Sequence, residues 1–588
     1  MIFNEKFLHD GGAGVHVRNI LSCLELQANL WPDKPAFIYL KDGEVEAQRI
    51  SFAQLQQQSH ALGSALAGKL DCGDRVIIAL PDGIDFIRVF LGSLYAGLIP
   101  VPVKPALNND ARAKLIRIAE DCQPQGIFLA QGMAGIHIPE RSLLFLQSEE
   151  LIASVTPEQA TRTAGRSSSG AQLAFLQYTS GSTGYPKGVM VSHDNLLANE
   201  SMLSRTWEAG SDDVIVSWLP MFHDMGLMGS VLLTVYSGAQ CVLMTPAAFV
   251  QRPARWLQAV ERYGGTIMGG PNFAYKLLCT PRVSESLQGL DLSGLKLAYC
   301  GSEPVSVAVT QMFLKAYQTS ALRADVFSPC YGLAEATLMV SGGQIGHGYA
   351  TMAVDVVTSL ALPDFNDLNQ PTPGIKLAVS CGASVPGQEL RIVNPNTRQP
   401  CAEYETGEVW VAGPHIALGY WNNPAATAEA FGACLADETR GHYLRTGDLG
   451  FLAGGKLYIS GRIKELIIVN GNNYYPQDIE ETCSTSHTAL GSRAAAFGIS
   501  SHNGEEIVIV QELDKSIADD IDPQLLTDVT RSARSAIYRE HSLTVREIIY
   551  VKNNSIPKTT SGKICRVSCR RDYESRSLDV FDVAVAQE

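Results

Sequence analysis

Short apolar runs bounded by glycine and proline recur along the chain, with amphipathic stretches between them. Arg75–Pro81 (RVIIALP) precedes the helical pattern of Gly83–Gly97 (GIDFIRVFLGSLYAG), which leads into Leu98–Val103 (LIPVPV). The alternation returns at Cys122–Gln131, Gly238–Pro246, Gly264–Pro271 and Leu295–Gly301. Buried strands separated by helices predict a parallel α/β architecture. From Gly382 the pattern changes to short strands with turn residues between them, at Gln388–Pro400, Gly407–Trp421 and Gly454–Arg462. This predicts a small β-rich subdomain over about 382–460. Beyond Ile463 a final α+β unit carries strand, helix and strand signals and ends in an acidic tail.

Met225–Gln251 holds no charged residue and is long enough on paper to cross a bilayer. Ser237–Gln240 and then Thr245-Pro246 interrupt it, so the pattern predicts a buried helix (Gly226–Tyr236) followed by a buried strand (Gln240–Met244), with no membrane span. The first residues lack a basic segment followed by an apolar run, so no secretory signal is expected there and a cytoplasmic location is.

Composition sharpens the picture only a little. The 588 residues suggest two to four domains at about 150 residues each. With 46% hydrophobic and 18% charged residues, the chain can bury a sizeable core. A net charge of −14 argues against nucleic acid as a partner. Thirteen cysteines without a CxxC pair, several inside apolar runs, read as buried reduced thiols rather than as a disulfide framework or zinc site.

Tyr178–Val189 (YTSGSTGYPKGV) carries the most chemistry. Gly181 and Gly184 let a backbone curl its amides toward an anion, Thr179, Ser180, Ser182 and Thr183 add hydroxyl donors, and Lys187 supplies charge. Such a loop suits a polyphosphate. The Walker spacing G-x-x-x-x-G-K-[ST] is absent, which disfavours a P-loop NTPase.

Together with four further motifs in order, this loop resembles the adenylate-forming enzymes, which include acyl-CoA synthetases, luciferases and peptide-synthetase adenylation domains. The others are Ser328–Thr337 (SPCYGLAEAT), Tyr443–Gly450 (YLRTGDLG), Gly461–Ile468 (GRIKELII) and Pro557–Ile564 (PKTTSGKI). The resemblance implies attack of a carboxylate on the α-phosphate of ATP, giving an acyl-adenylate and pyrophosphate. It implies a large adenylation domain over residues 1–461 and a small mobile domain over 462–588, with a hinge at Lys464. By the same resemblance Thr179, Ser180, Ser182, Thr183 and Lys187 hold phosphates, with Gly181 and Gly184 shaping the loop. Gly301, Ser302, Glu303 and Pro304 with Tyr331 and Gly332 line the adenine site, Asp448 binds the ribose, and Arg462 lies near ribose and phosphate. Glu335 would hold Mg²⁺ and Lys563 would act at the α-phosphate. His223 would border an acyl pocket, and the apolar residues behind it, Leu227, Met228, Val231 and Leu232, favour a fatty acid.

Forty-seven positions separate Glu335 from Gly382, more than in ordinary acyl-CoA synthetases. The insertion, at about 345–380, resembles that of the fatty acyl-AMP ligases. That likeness implies transfer of the acyl group to the phosphopantetheine thiol of an acyl carrier protein. An acyl-CoA ligase is the nearer alternative, and a non-catalytic carrier-docking scaffold the more distant one. Apolar residues in Met352–Val357 and Leu360–Pro363 lead us to expect the insertion to pack between the domains. Lys558–Arg576 carries six cations against two carboxylates, and Arg566, Arg570 and Arg571 are expected to help receive an acidic carrier.

Overall fold

The computed structural model describes residues 17–130, 143–153, 172–179, 186–358, 360–365, 372–439, 441–469, 472–501, 504–517, 522–558 and 563–581. In its large sheet Val214–Ser217, Gln240–Leu243, Ile267–Gly270, Leu297–Cys300 and Phe327–Gly332 pair in parallel, and Pro35–Lys41 joins beside Gln240–Leu243. These strands are short and mostly buried, which is why their sequences read as unbroken apolar runs. A second, four-stranded parallel sheet holds Ile99–Pro102, Arg75–Ala79, Gly126–Leu129 and Leu144–Leu146. The fold is α/β, with a large N-terminal part and a small α+β C-terminal part.

Phe327–Gly332 is the strand at which the sheet changes character. Its first half pairs in parallel with Leu297–Cys300, and its second half pairs antiparallel with Met339–Gly342 (Cys330↔Gly342, Tyr331↔Ser341). Through Ile375–Ser384 the antiparallel strands Lys456–Arg462, Tyr443–Ala453, Gly407–Ala412 and Glu389–Val393 continue the same sheet, which reaches 15 strands among the described residues. The β-rich stretch is thus hydrogen-bonded to the parallel core. Gly382 permits the join: its φ is +80°, and a Cβ there would lie 2.0 Å from the Gly342 carbonyl.

The helix expected at Gly226–Tyr236 begins two residues earlier. Asp224–Gly226 forms an α-helical turn, Leu227–Leu232 winds as a π-helix, and Leu233–Ser237 returns to α-helix before the strand Gln240–Leu243. All six π-helical residues are buried. Interruptions of this kind occur often at functional sites, and this one starts four residues after His223. Among the described residues no helix is long and apolar enough to cross a membrane.

The insertion is partly strand. Thr351–Asp355 pairs antiparallel with the start of Ile375–Ser384, and Val354 and Ala361 pack with Phe451, Ala453 and Tyr458. From Ile467 onward the chain builds its own sheet of Leu490–Ser501, Gly504–Leu513 and Val545–Val551, with helices Pro476–Thr485, Pro523–His541 and Arg566–Glu574. Two apolar clusters are made wholly of residues from this region.

Candidate active site

Leu173–Thr179 and Lys187–Ser192 form a hairpin whose connection is the phosphate-loop motif. Ser180, Gly181, Ser182, Thr183 and Gly184 lie outside the described residues, but the loop's two ends are fixed, because Thr179 pairs with Lys187. The segment Leu418–Trp421 runs alongside the second strand through Met190 N–H to Gly419, Leu418 N–H to Met190 and Trp421 N–H to Gly188. This places the Lys187 ammonium 4.5 Å from the centre of the Tyr420 ring. The Tyr420 hydroxyl in turn donates to Glu335 Oε1 at 2.8 Å. One phenol therefore joins the phosphate-loop lysine to the Y-G-x-A-E carboxylate. Burial raises the Glu335 pKa above the usual carboxylate range, against the opposing pull of Tyr420 and Arg462.

A second cluster adjoins it. Asp448 is buried and accepts two hydrogen bonds, from Tyr331 Oη at 2.6 Å and from Arg462 Nε at 2.8 Å. Asp448 and Arg462 are directly opposed across the hairpin Tyr443–Ala453/Lys456–Arg462, so strand register brings the T-G-D and G-R-I-K motifs together. Burial and the adjacent Asp448 carboxylate keep Tyr331 protonated as a donor. Gly332 ends the Tyr331 strand where a Cβ would come 1.9 Å from the Leu338 carbonyl oxygen. Gly301 and Ser302 follow the neighbouring strand Leu297–Cys300, and Ser302 holds a left-handed φ of +77°. Strained backbone of this kind concentrates at functional sites.

On the third side His223 Nδ1 lies 2.5 Å from Asp224 Oδ1. Burial alone would raise the Asp224 pKa, but His223, the Met225 N–H and Lys563 outweigh it and hold the carboxyl low. Asp82 fixes the preceding loop by accepting the Met221 N–H at 2.6 Å. Lys563 reaches this region from the C-terminal part, in a segment closed by a bridge between Lys558 and Ile564 and by Cys565 N–H to Pro557. Asp224, Glu303, Asp448 and Arg462 all act on its charge. The structure therefore brings together Thr179, Lys187, Glu335, Tyr331, Gly332, Asp448, Arg462, Gly301, Ser302, His223 and Lys563. Tyr420, Asp82 and Asp224 join the site without a sequence signal of their own.

Lys464 lies in the 3₁₀ turn Ile463–Glu465. The arginine patch needs correction at Arg566. Arg566 grips Glu480 with Nε and Nη2, both at 2.7 Å, and Glu465 with Nη1 at 2.6 Å. Its charge is consumed within the fold, and Arg570 and Arg571 pair locally with Glu574 and Asp572.

A family model described as AMP-binding enzyme matches residues 24–421. The chain belongs to the AMP-binding enzyme family. A second model, the AMP domain of Disco-interacting protein 2-like proteins, matches residues 464–583 of this AMP-binding enzyme. The medium-chain-fatty-acid–acyl-carrier-protein ligase JamA of Moorena producens is 35% identical over 576 residues, 96% of this chain and 97% of that protein. The long-chain-fatty-acid–AMP ligase FadD23 of Mycobacterium tuberculosis is 34% identical over 588 residues, 97% and 99% of the two chains. The structure of a fatty acyl-adenylate ligase from Legionella pneumophila, in complex with acyl adenylate and pyrophosphate, matches with a TM-score of 0.73 and 34% identity over 98% of each chain.

Proposed function

We propose that this enzyme converts a fatty acid and ATP to fatty acyl-adenylate and pyrophosphate, then passes the acyl group to the phosphopantetheine thiol of an acyl carrier protein. The convergence of Lys563, from the C-terminal part, on the Asp448–Arg462 cluster and on Asp224 carries this reading. In the first step a carboxylate oxygen attacks the α-phosphorus and pyrophosphate leaves, so charge neutralisation is the main task. Lys563 meets the charge shared between the attacking carboxylate and the α-phosphate. Lys187 and the hydroxyls of its loop hold the departing phosphates. Asp448 keeps a second lone pair on each oxygen for the ribose hydroxyls, Tyr331 and the Gly301–Ser302 turn flank adenine, and Arg462 orients Asp448. In the second step the carrier thiolate attacks the acyl carbonyl and AMP leaves.

Mg²⁺ belongs to this reading, and the donor set fits it. Glu335 is a partly buried carboxylate, and among the described residues no group of three or more metal-ligating side chains stands together. One carboxylate with phosphate oxygens and water is the usual surrounding of Mg²⁺, whereas a protein cage suits other metals. Bound there by Glu335, the ion would offset phosphate charge.

The residue 462 boundary between a large and a mobile small domain is supported by the gap between the two family matches and by the separate apolar clusters. The preference for a carrier over coenzyme A is supported by the insertion. Lys376 on its second strand contacts Asp478 Oδ2 at 2.5 Å and lies 5.1 Å from the Tyr475 ring centre, both in the small domain. ATP–pyrophosphate exchange across fatty acids of increasing length tests the first step. Parallel assays with carrier protein and coenzyme A test the second, and efficient acyl-CoA synthesis by the intact enzyme would refute the acceptor assignment.

A further inference from the structure

The T-G-D motif sits in a break of strand register. Along the pair Gly407–Ala412/Tyr443–Ala453, Glu408 lies opposite Leu449 and Trp410 opposite Arg445, so Val409 alone stands against Thr446, Gly447 and Asp448. Such bulges interrupt the ladder and re-aim side chains, and they gather beside active sites. Here the loosened strand is fastened to Gly407–Ala412 at two points. The Thr446 hydroxyl donates to the Val409 carbonyl at 2.8 Å and accepts the Asp448 N–H at 3.1 Å. The Glu408 carboxylate accepts the Gly447 N–H through Oε1 at 3.1 Å. Gly447 itself has a φ of +72°, left-handed backbone that glycine adopts without strain.

Glu408 is only 2% exposed. Its other oxygen, Oε2, accepts from Trp410 Nε1 and from Arg445 Nε, both at 2.9 Å, and Arg445 Nη2 lies 2.8 Å from it. The Arg445 guanidinium in turn lies 5.7 Å from the centre of the Trp410 ring. Burying a carboxylate is costly even when it is paired, and apolar side chains of similar volume often stabilise a fold as well. What the charge adds here is direction. With Oε2 fixed by Trp410 and Arg445, Oε1 is presented to the Gly447 N–H, one residue before Asp448. We propose that Glu408 is a positioning residue for nucleotide binding, holding the bulge in the shape that aims Asp448 at the ribose. The proposal rests on the reading of Asp448 as the ribose ligand. Asp448 is thereby secured twice: its side chain by Tyr331 and Arg462, and its backbone by the lock that Thr446 and Glu408 make.

The test is ribose discrimination, the ratio of kcat/KM for ATP to that for 2′,3′-dideoxy-ATP in pyrophosphate exchange. The analogue offers Asp448 neither hydroxyl, and a site built to hydrogen-bond a hydroxyl rejects a substrate that lacks it. The ratio is independent of the fraction of active enzyme, so a loss of folded protein alone leaves it unmoved. In Glu408→Gln one of the two acceptor oxygens becomes a donor, so either Gly447 or the Arg445–Trp410 pair loses its partner. The ratio should then fall about tenfold, the usual effect of losing a hydrogen bond to a charged group. Asp448→Ala should also lower it, and if it does not, the ribose reading fails and takes the proposal with it. If Asp448→Ala lowers the ratio while Glu408→Gln keeps the wild-type value, the ribose reading stands and Glu408 is not its positioning residue. Should Glu408→Gln not accumulate as folded protein, Glu408→Asp keeps a charge beside Arg445 but shortens the reach to Gly447. A lowered ratio in that variant supports the proposal, and a wild-type ratio overturns it equally.

Discussion

Tyr420 shows how much of this site depends on a single side chain. Its ring carries the Lys187 ammonium on one face while its hydroxyl holds Glu335. Tyr420→Phe keeps the ring and removes only the hydroxyl, so Lys187 should stay in place while Glu335 loses its orienting donor. A hydrogen bond to a charged group contributes about 1.5–3 kcal/mol, so the Mg²⁺ concentration for half-maximal exchange should rise about tenfold or more. A wild-type Mg²⁺ titration would show that the hydroxyl is dispensable. Lys563→Ala tests the other end of the site: adenylation should fall about a hundredfold or more while ATP affinity, measured by calorimetry, changes little. Lys187, Glu335, Asp448 and Lys563 could be named from sequence because each sits inside a recognisable string. Tyr420 could not, because its importance lies in a partner 85 positions away.

At the scale of elements, the insertion is a strand pair with an apolar underside. Val354 and Ala361 are covered by Phe451 and Tyr458, and Lys376 extends to Asp478. The surplus of apolar residues signalled packing, but not its place: the apolar side chains lie on the large part's Phe451 and Tyr458 rather than between the domains. The strand partner was hidden because it follows at the far end of the same insertion. If the Lys376 contact holds the small domain against the large one, Lys376→Ala should release it. A loss of about 1.4 kcal/mol multiplies the undocked population about tenfold, and acyl-CoA formation should rise accordingly without loss of exchange activity. Unchanged product ratios would assign the contact to stability alone. Arg566 teaches the opposite lesson about reading elements. In sequence it belongs to a cationic run, yet its partners lie 86 and 101 positions upstream, beyond the reach of any local charge count.

Across the whole molecule, burial fixes ionisation as well as packing. His193 and His415 are both buried, and desolvation lowers each pKa from 6.5 to about 4. The folded state therefore keeps them neutral where the unfolded chain binds protons. Their contribution is intact above pH 6.5 and is lost as pH falls from 6.5 toward 4, since the unfolded state then gains protons first. Each shift corresponds to about 3 kcal/mol at the acid end. Urea titrations between pH 7 and 4.5 should show falling stability, and His415→Gln should flatten that slope. An unchanged slope would mean that carboxylates dominate the acid response. The alternating apolar pattern revealed the α/β class, but the fusion of its two kinds of sheet at Phe327–Gly332 depends on long-range pairing that no local pattern records.

The two clasps that flank the proposed hinge have a mechanical consequence. Arg462 is fastened to Asp448 on the large side, and Glu465 is fastened to Arg566 on the small side. Only Ile463 and Lys464 lie between them. In the proposed cycle the turning motion is confined to the torsions of these two residues, so the joint behaves as a short axle rather than a flexible tether. The stationary end of the axle is the Arg462–Asp448 pair itself. Lys563 can then be carried away on the rotating arm while the grip on the ribose stays where it was, and the adenylate remains held as the arm brings a new face toward the thiol.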